Sequence, residues 1–197
     1  VVAHFHYVLF GGSIFAIFSG IYYWWPKFTG WLLDEKLGKI SFILMFIGFN
    51  LQFGPMHWVG LNGMPRRIYT YAEDMGWEIS NLAATIGGFI IAISVLVFLI
   101  NVILSKRKKQ HSGGDPWDAR TLEWSIPSPP PEYNFKEIPV VKGLDDWWIT
   151  KQGSPQRSVP TGGGSGDEEH DIHLPQPSYW PMVSAIGLFI SAYGVVF

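Results

Sequence analysis

The chain has no cysteine. That excludes disulfides and thiolate metal sites, leaving histidine, carboxylate and methionine as possible ligands. Charge is scarce too: Asp, Glu, Lys and Arg make up 15% of the residues, whereas 48% are hydrophobic and 16% aromatic. A soluble domain carries roughly 25% charged residues, and here the charges cluster, leaving long stretches with few or none. The composition is that of a membrane protein. No nucleotide-binding glycine loop, catalytic triad or nucleic-acid motif is present. The initial apolar stretch has neither the basic head nor the small-residue cleavage site of a signal peptide. Residue 1 is Val rather than Met, and Phe197 falls within an apolar run, so the chain is expected to be a piece of a longer one. The net charge of −2 is uninformative, because its sign changes from segment to segment.

What is present is a succession of apolar runs. Residues 1–26 hold no formal charge before Pro26-Lys27, and end in the aromatic belt Tyr22-Tyr23-Trp24-Trp25. About 20 apolar residues cross a bilayer as a helix, and an aromatic belt marks where a helix leaves the hydrocarbon. Gly11, Gly12, Ser13, Ala16, Ser19 and Gly20 are small enough for close helix packing. Further spans are predicted at 37–60, with a kink at Gly54-Pro55, and at 81–105; they are separated by loops at 27–36 and 61–80. A polar tail and linker occupies 106–178, and a fourth, truncated span begins at 179–197. The fold expected is therefore an all-α membrane bundle of three complete helices and part of a fourth, with an extended tail. Within the tail, Ser125–Pro131 reads as polyproline II and Thr161–Glu169 as a flexible linker.

Basic residues set the topology. Lys27, Lys36 and Lys39 lie near the first loop, and Lys106-Arg107-Lys108-Lys109 follows the third span. The middle loop has Arg66 and Arg67 among Glu73, Asp74 and Glu78. The first loop and the tail are thus expected on the cytoplasmic side, with His4, His6, Arg66 and Arg67 all towards the outer side.

His4 and His6 are the residues with the most chemical content. On a helix, positions i and i+2 project about 200° apart, so the two cannot share one ion. They reach towards two different things. Each is either a hydrogen-bonding group between helices or an axial ligand of haem iron. Arg66-Arg67 is either a solvated pair or a site for carboxylates such as haem propionates, which guanidinium matches with two parallel hydrogen bonds. His57 reads as a structural or supporting polar group, and Asn50 and Gln52 as interhelical hydrogen-bonders. The run at 106–109 reads as a topology anchor that contacts anionic lipid only secondarily. His170 and His173, among Asp167, Glu168, Glu169 and Asp171, read as a solvated acidic patch rather than a metal site.

Val1-Val2-Ala3-His4-Phe5-His6-Tyr7-Val8-Leu9, followed by Leu61-Asn62-Gly63-Met64-Pro65-Arg66-Arg67 and by Leu122-Glu123-Trp124 with Ser128-Pro129-Pro130-Pro131-Glu132-Tyr133, resembles subunit I of haem–copper oxidases from its tenth helix onward. The resemblance implies that His4 ligates a high-spin haem at the oxygen-reducing site and His6 a low-spin haem. Phe5 would lie between them, and Arg66 and Arg67 would bind the propionates. Both haems are expected to be haem A. The reaction implied is reduction of oxygen to water by cytochrome c, or by quinol, coupled to proton pumping. The copper of the binuclear centre is expected too, its ligands lying outside this stretch. Implied partners are the rest of subunit I, subunits II and III, cytochrome c and the lipid bilayer; nucleic acid is not one. The fourth apolar run and Lys142–Lys151 resemble the extended bacterial form, which implies a bacterial plasma membrane rather than the mitochondrial inner membrane. Two readings from other classes stand beside this one: a di-haem electron carrier without oxygen chemistry, and a transporter or structural bundle with incidental histidines.

Overall fold

The computed structural model describes residues 1–108, 110–153 and 178–196. Helices account for most of these, and among the described residues there is no β-strand, only an isolated bridge between Trp31 and His111. The first long helix comprises α1 (Val2–Leu9), a π-helical turn (Phe10–Ile14) and α2 (Phe15–Thr29). It continues three residues past Pro26, because a proline only fails to donate to the preceding turn and the following residues still find carbonyls. Gly30 ends it at φ 79, its N–H bonded to Pro26 O at 2.8 Å. Only glycine takes that left-handed conformation without cost.

Helix α3 (Glu35–Leu61) starts two residues earlier than expected. Asp34 caps it by accepting hydrogen bonds from Lys36 N and Leu37 N at 3.0 and 3.1 Å, satisfying amides that the helix cannot. It stays helical through Gly54-Pro55. Helix α4 (Glu78–Lys108) likewise overruns its expected span at both ends, since Glu78 suits the positive helix N-terminus and Lys106, Arg107 and Lys108 the negative C-terminus. These three helices, Val2–Thr29, Glu35–Leu61 and Glu78–Lys108, are long and apolar enough to cross a membrane, and the fold is a helical membrane bundle.

Helices α3 and α4 pack most closely, and small residues are the reason. Ser41 and Ser94 are both buried and donate to each other's backbone carbonyl, at 3.0 and 2.8 Å. Gly48 and Gly87 let the backbones touch: a Cβ on Gly87 would stand 2.3 Å from Gln52 N. Of the small residues expected to serve such packing in the first helix, Gly11 lies against a neighbouring helix, its Cβ position 3.4 Å from Phe49 Cζ.

The tail from Gln110 folds back under the first helix. Leu32 N donates to Gln110 O and Ser112 N to Gly30 O, at 3.0 and 3.1 Å. Buried Lys27 donates to the carbonyls of Gly114, Ile126 and Pro127 at 3.2, 2.8 and 3.3 Å, and lies 4.8 Å from the ring centre of fully buried Trp124. The proline-rich stretch is thus preceded by a 3-10 turn (Leu122–Ser125), and Ser128-Pro129 is cis. A short helix α5 (Asp146–Gly153), not foreseen from the sequence, is held by ion pairs from Lys151 to Asp115 at 2.6 Å and to Asp118. Helix α6 (Trp180–Val196) coincides with the fourth apolar run. The linker glycines, His170 and His173 lie outside the described residues.

Candidate functional site

The site is built where the first helix meets α3. These run antiparallel, so the pairs step inward together: His6 stacks on Phe53 (ring centres 4.4 Å apart, 12° between planes), Tyr7 tilts on Phe49 at 4.7 Å, and Phe15 meets Phe42 and Phe46 edge-on. Phe10 bridges Phe49 and Phe53 at 5.4 and 5.7 Å. Aromatic side chains hold this seam, with one polar tie, Tyr7 Oη to Asn50 Oδ1 at 2.9 Å.

Within that frame the two histidines part company. His6 is half-buried between Phe5 and Phe53, with its Nδ1 2.9 Å from Val2 O. A carbonyl only accepts, so Nδ1 carries the proton, and in the neutral ring Nε2 is the nitrogen with the free lone pair. His4, two residues away on the same helix, is exposed and has no hydrogen bond among the described residues. The helix therefore presents two imidazoles in different directions, as i, i+2 spacing requires. Neutral imidazole with a free ring nitrogen is the donor that haem iron takes, and a fixed second nitrogen is the usual way such a ligand is oriented.

The loop after α3 leaves from the histidine end of the bundle. Its start is fixed by Met64 N to Val59 O at 3.0 Å, by Trp77 Nε1 to Asn62 O at 3.2 Å and by Asn81 Nδ2 to Met64 Sδ at 3.6 Å. Arg66 and Arg67 follow at once, both exposed. Neither forms an ion pair among the described residues, although Glu73, Asp74 and Glu78 are close in sequence. Arg67 holds φ 66, a left-handed conformation costing an L-residue about 1–2 kcal/mol. The structure does not bring the arginines into contact with the histidines; it places both pairs at one end. His57 is exposed and meets Tyr7 edge-on at 5.3 Å, so it touches the residue beside a ligand candidate. Asn50 is the interhelical hydrogen-bonder expected of it. Gln52 lies against Gly87 and Gly88. Among the described residues no group of three His, Asp or Glu side chains is gathered to hold a metal ion.

Comparison with known proteins decides the lineage. The family described as cytochrome c and quinol oxidase polypeptide I matches residues 1–90. The whole chain is 49% identical to cytochrome c oxidase subunit 1 of Bacillus subtilis (strain 168) and 48% identical to that of Bacillus sp. (strain PS3), each over 198 aligned residues. The chain belongs to this family. It spans about a third of the length of those relatives, 31% of each. The cytochrome c oxidase subunit 1 of Thermostichus vulcanus is 50% identical over 172 residues, covering 87% of this chain and 29% of the relative. Oxidase subunits of this family are haem–copper proteins, so haem and copper are expected of the complete subunit. The similarity to the Bacillus proteins continues past residue 90 across the folded-back tail, so the Lys27 cage lies in a region shared with them.

Proposed function

We propose that this chain is the haem-bearing part of the catalytic subunit of a terminal respiratory oxidase, which reduces oxygen to water with electrons from cytochrome c and couples this to proton translocation across a bacterial plasma membrane. The observation that carries the proposal is the pair of imidazoles presented in different directions from one membrane helix, one of them fixed as the Nδ1–H tautomer. His6 would hold the low-spin haem and His4 the high-spin haem, both of the haem A type. When bound, the haems supply iron that gains and loses one electron at a time. The chain's own part would be to hold both irons from one helix with Phe5 between them, and to cover the His6 side with the aromatic seam. Arg66 and Arg67, exposed and without an ion pair among the described residues, bind the propionates with charge-assisted paired hydrogen bonds. The copper is held by residues of the complete subunit outside this stretch, and subunits II and III complete the assembly.

An optical spectrum of the intact oxidase, taken with and without carbon monoxide, tests this. Two haem signals are expected, of which the high-spin one alone shifts with carbon monoxide. His6→Ala removes the low-spin signal and leaves the high-spin haem at least partly loaded, and His4→Ala does the reverse. A single haem type, or equal loss of both signals in each variant, overturns the assignment. The family includes quinol oxidases, and quinol as the donor would show as turnover with quinol but none with reduced cytochrome c.

A further inference from the structure

We propose that Tyr7, through its hydrogen bond to Asn50, is the pin that fixes the rotation of the ligand-bearing helix and so the directions in which His4 and His6 present Nε2. The inference rests on the reading of those histidines as haem ligands.

Among the described residues, the stretch from Val1 to Ile21 forms one side-chain hydrogen bond to another helix, Tyr7 Oη to Asn50 Oδ1 at 2.9 Å. The side chains of His6, Tyr7 and Phe10 otherwise meet α3 ring against ring, and stacked or tilted rings tolerate sliding and small rotations that a hydrogen bond does not. Asn50 is itself fixed, because its Nδ2 donates to Phe46 O at 2.8 Å, which leaves Oδ1 aimed outward as the acceptor. Tyr7 is next to His6 and three positions from His4, so the pin acts at the level of the ligands. Directly below it comes the π turn Phe10–Ile14, where the helical register is relaxed. The anchors of α2, such as Asn101 Nδ2 to Tyr22 Oη at 3.4 Å, therefore constrain the rotation of α1 less than they would through an unbroken α-helix. Side-chain ends lie about 5–6 Å from a helix axis, so a rotation of roughly 10° moves a ligand nitrogen by about 1 Å. Sites of this kind need their ligands held to about 0.5 Å. A ring-only seam lacks that precision, and the hydroxyl–amide bond adds it.

The experiment uses the assembled oxidase with Tyr7→Phe, Asn50→Leu and the double variant, reading the low-spin haem by electron paramagnetic resonance. The g values of such a haem follow the orientation of its axial imidazole planes. Both single variants are expected to shift and broaden those values in the same sense, with the double variant no further displaced than either. Tyr22→Phe, which loses an interhelical bond on the far side of the π turn, is expected to lower Tm and leave the g values as in the unmodified protein. A Tyr7→Phe spectrum superimposable on that of the unmodified protein, with only Tm lowered, overturns the pin; if that variant does not accumulate, an unshifted spectrum in Asn50→Leu overturns it equally. Absence of the low-spin signal from the unmodified oxidase, or its survival in His6→Ala, overturns the ligand reading and the pin with it.

Discussion

Gly87 has the least room for a side chain of the described glycines. An added Cβ would meet Gln52 N at 2.3 Å and Gln52 Cα at 2.7 Å, and backbone cannot swing aside as a side chain can. Gly87→Ala should therefore exceed the usual 1–3 kcal/mol cost of overpacking, seen as a fall in Tm and in membrane-inserted yield. Gly12→Ala, with nothing within 4 Å, should be neutral in both. Two ionisable groups outside the spans make stability depend on pH in opposite directions. The Asp34 carboxyl is held below its ordinary 3.8 by hydrogen bonds from the Leu37 amide and the Lys108 ammonium, the latter also an ion pair at 3.1 Å. Its contribution is present above pH 3.8 and is lost as the pH falls through the lowered value. Burial lowers the Lys151 ammonium, but hydrogen bonds and attraction to Asp115 and Asp118 outweigh this and raise it above 10.5. Its contribution is complete below 10.5 and is lost as the pH rises through the raised value. Trp148 lies 5.6 Å from Lys151 Nζ and 5.2 Å from Arg120 Cζ. Tryptophan fluorescence should therefore report an alkaline release of α5 that Lys151→Met shows already at neutral pH.

At the scale of the element, the π turn is the feature with the largest leverage. The π turn already absorbs one residue more than an α turn, so a further residue beside it would rotate α1 against α2, each residue turning a helix by about 100°. Inserting an alanine between Ile14 and Phe15 should therefore swing both histidines a quarter-turn or more from their present directions. The expected result is loss of both haem signals from a protein still inserted in the membrane, measured by optical spectra against a protease-protection assay. The sequence made the three spans legible because hydropathy is a sum over twenty residues and survives local irregularity. It made the divergence of His4 and His6 legible because only a two-residue spacing was needed. Phe10–Ile14 was different: Gly11-Gly12-Ser13 reads as small packing residues, and nothing in those side chains says that the hydrogen bonds shift to i→i+5. The Tyr7–Asn50 bond was half visible, since Asn50 stood out as a hydrogen-bonder but its partner 43 positions away carried no signal. Helix α5 went unseen because eight residues with two tryptophans, an acid and a lysine have no apolar period to detect.

For the molecule as a whole, residues 110–153 of the tail lie against the end of the first helix, with Lys27 at the centre of that contact. Its three ammonium protons meet three carbonyls. Lys27→Met removes the donor from Ile126 O and Pro127 O, at about 1–3 kcal/mol each, whereas Gly114 O keeps the Ser128 hydroxyl at 3.1 Å. Limited proteolysis of the membrane-bound protein should then cut rapidly within 110–153 while the three spans stay protected; an unchanged cleavage rate would show the tail to be held by its other contacts. The sequence could not foretell this contact, because its acceptors are backbone carbonyls, which every residue type supplies. The cage has one more consequence, for the order of events during biosynthesis. Lys27 is 87 to 100 positions from its three partners, and between them α3 and α4 must pair as an antiparallel hairpin. Closing so long a loop is entropically slow. The ammonium is therefore expected to stay solvated until the two later helices have paired, so that its burial marks the hairpin as formed.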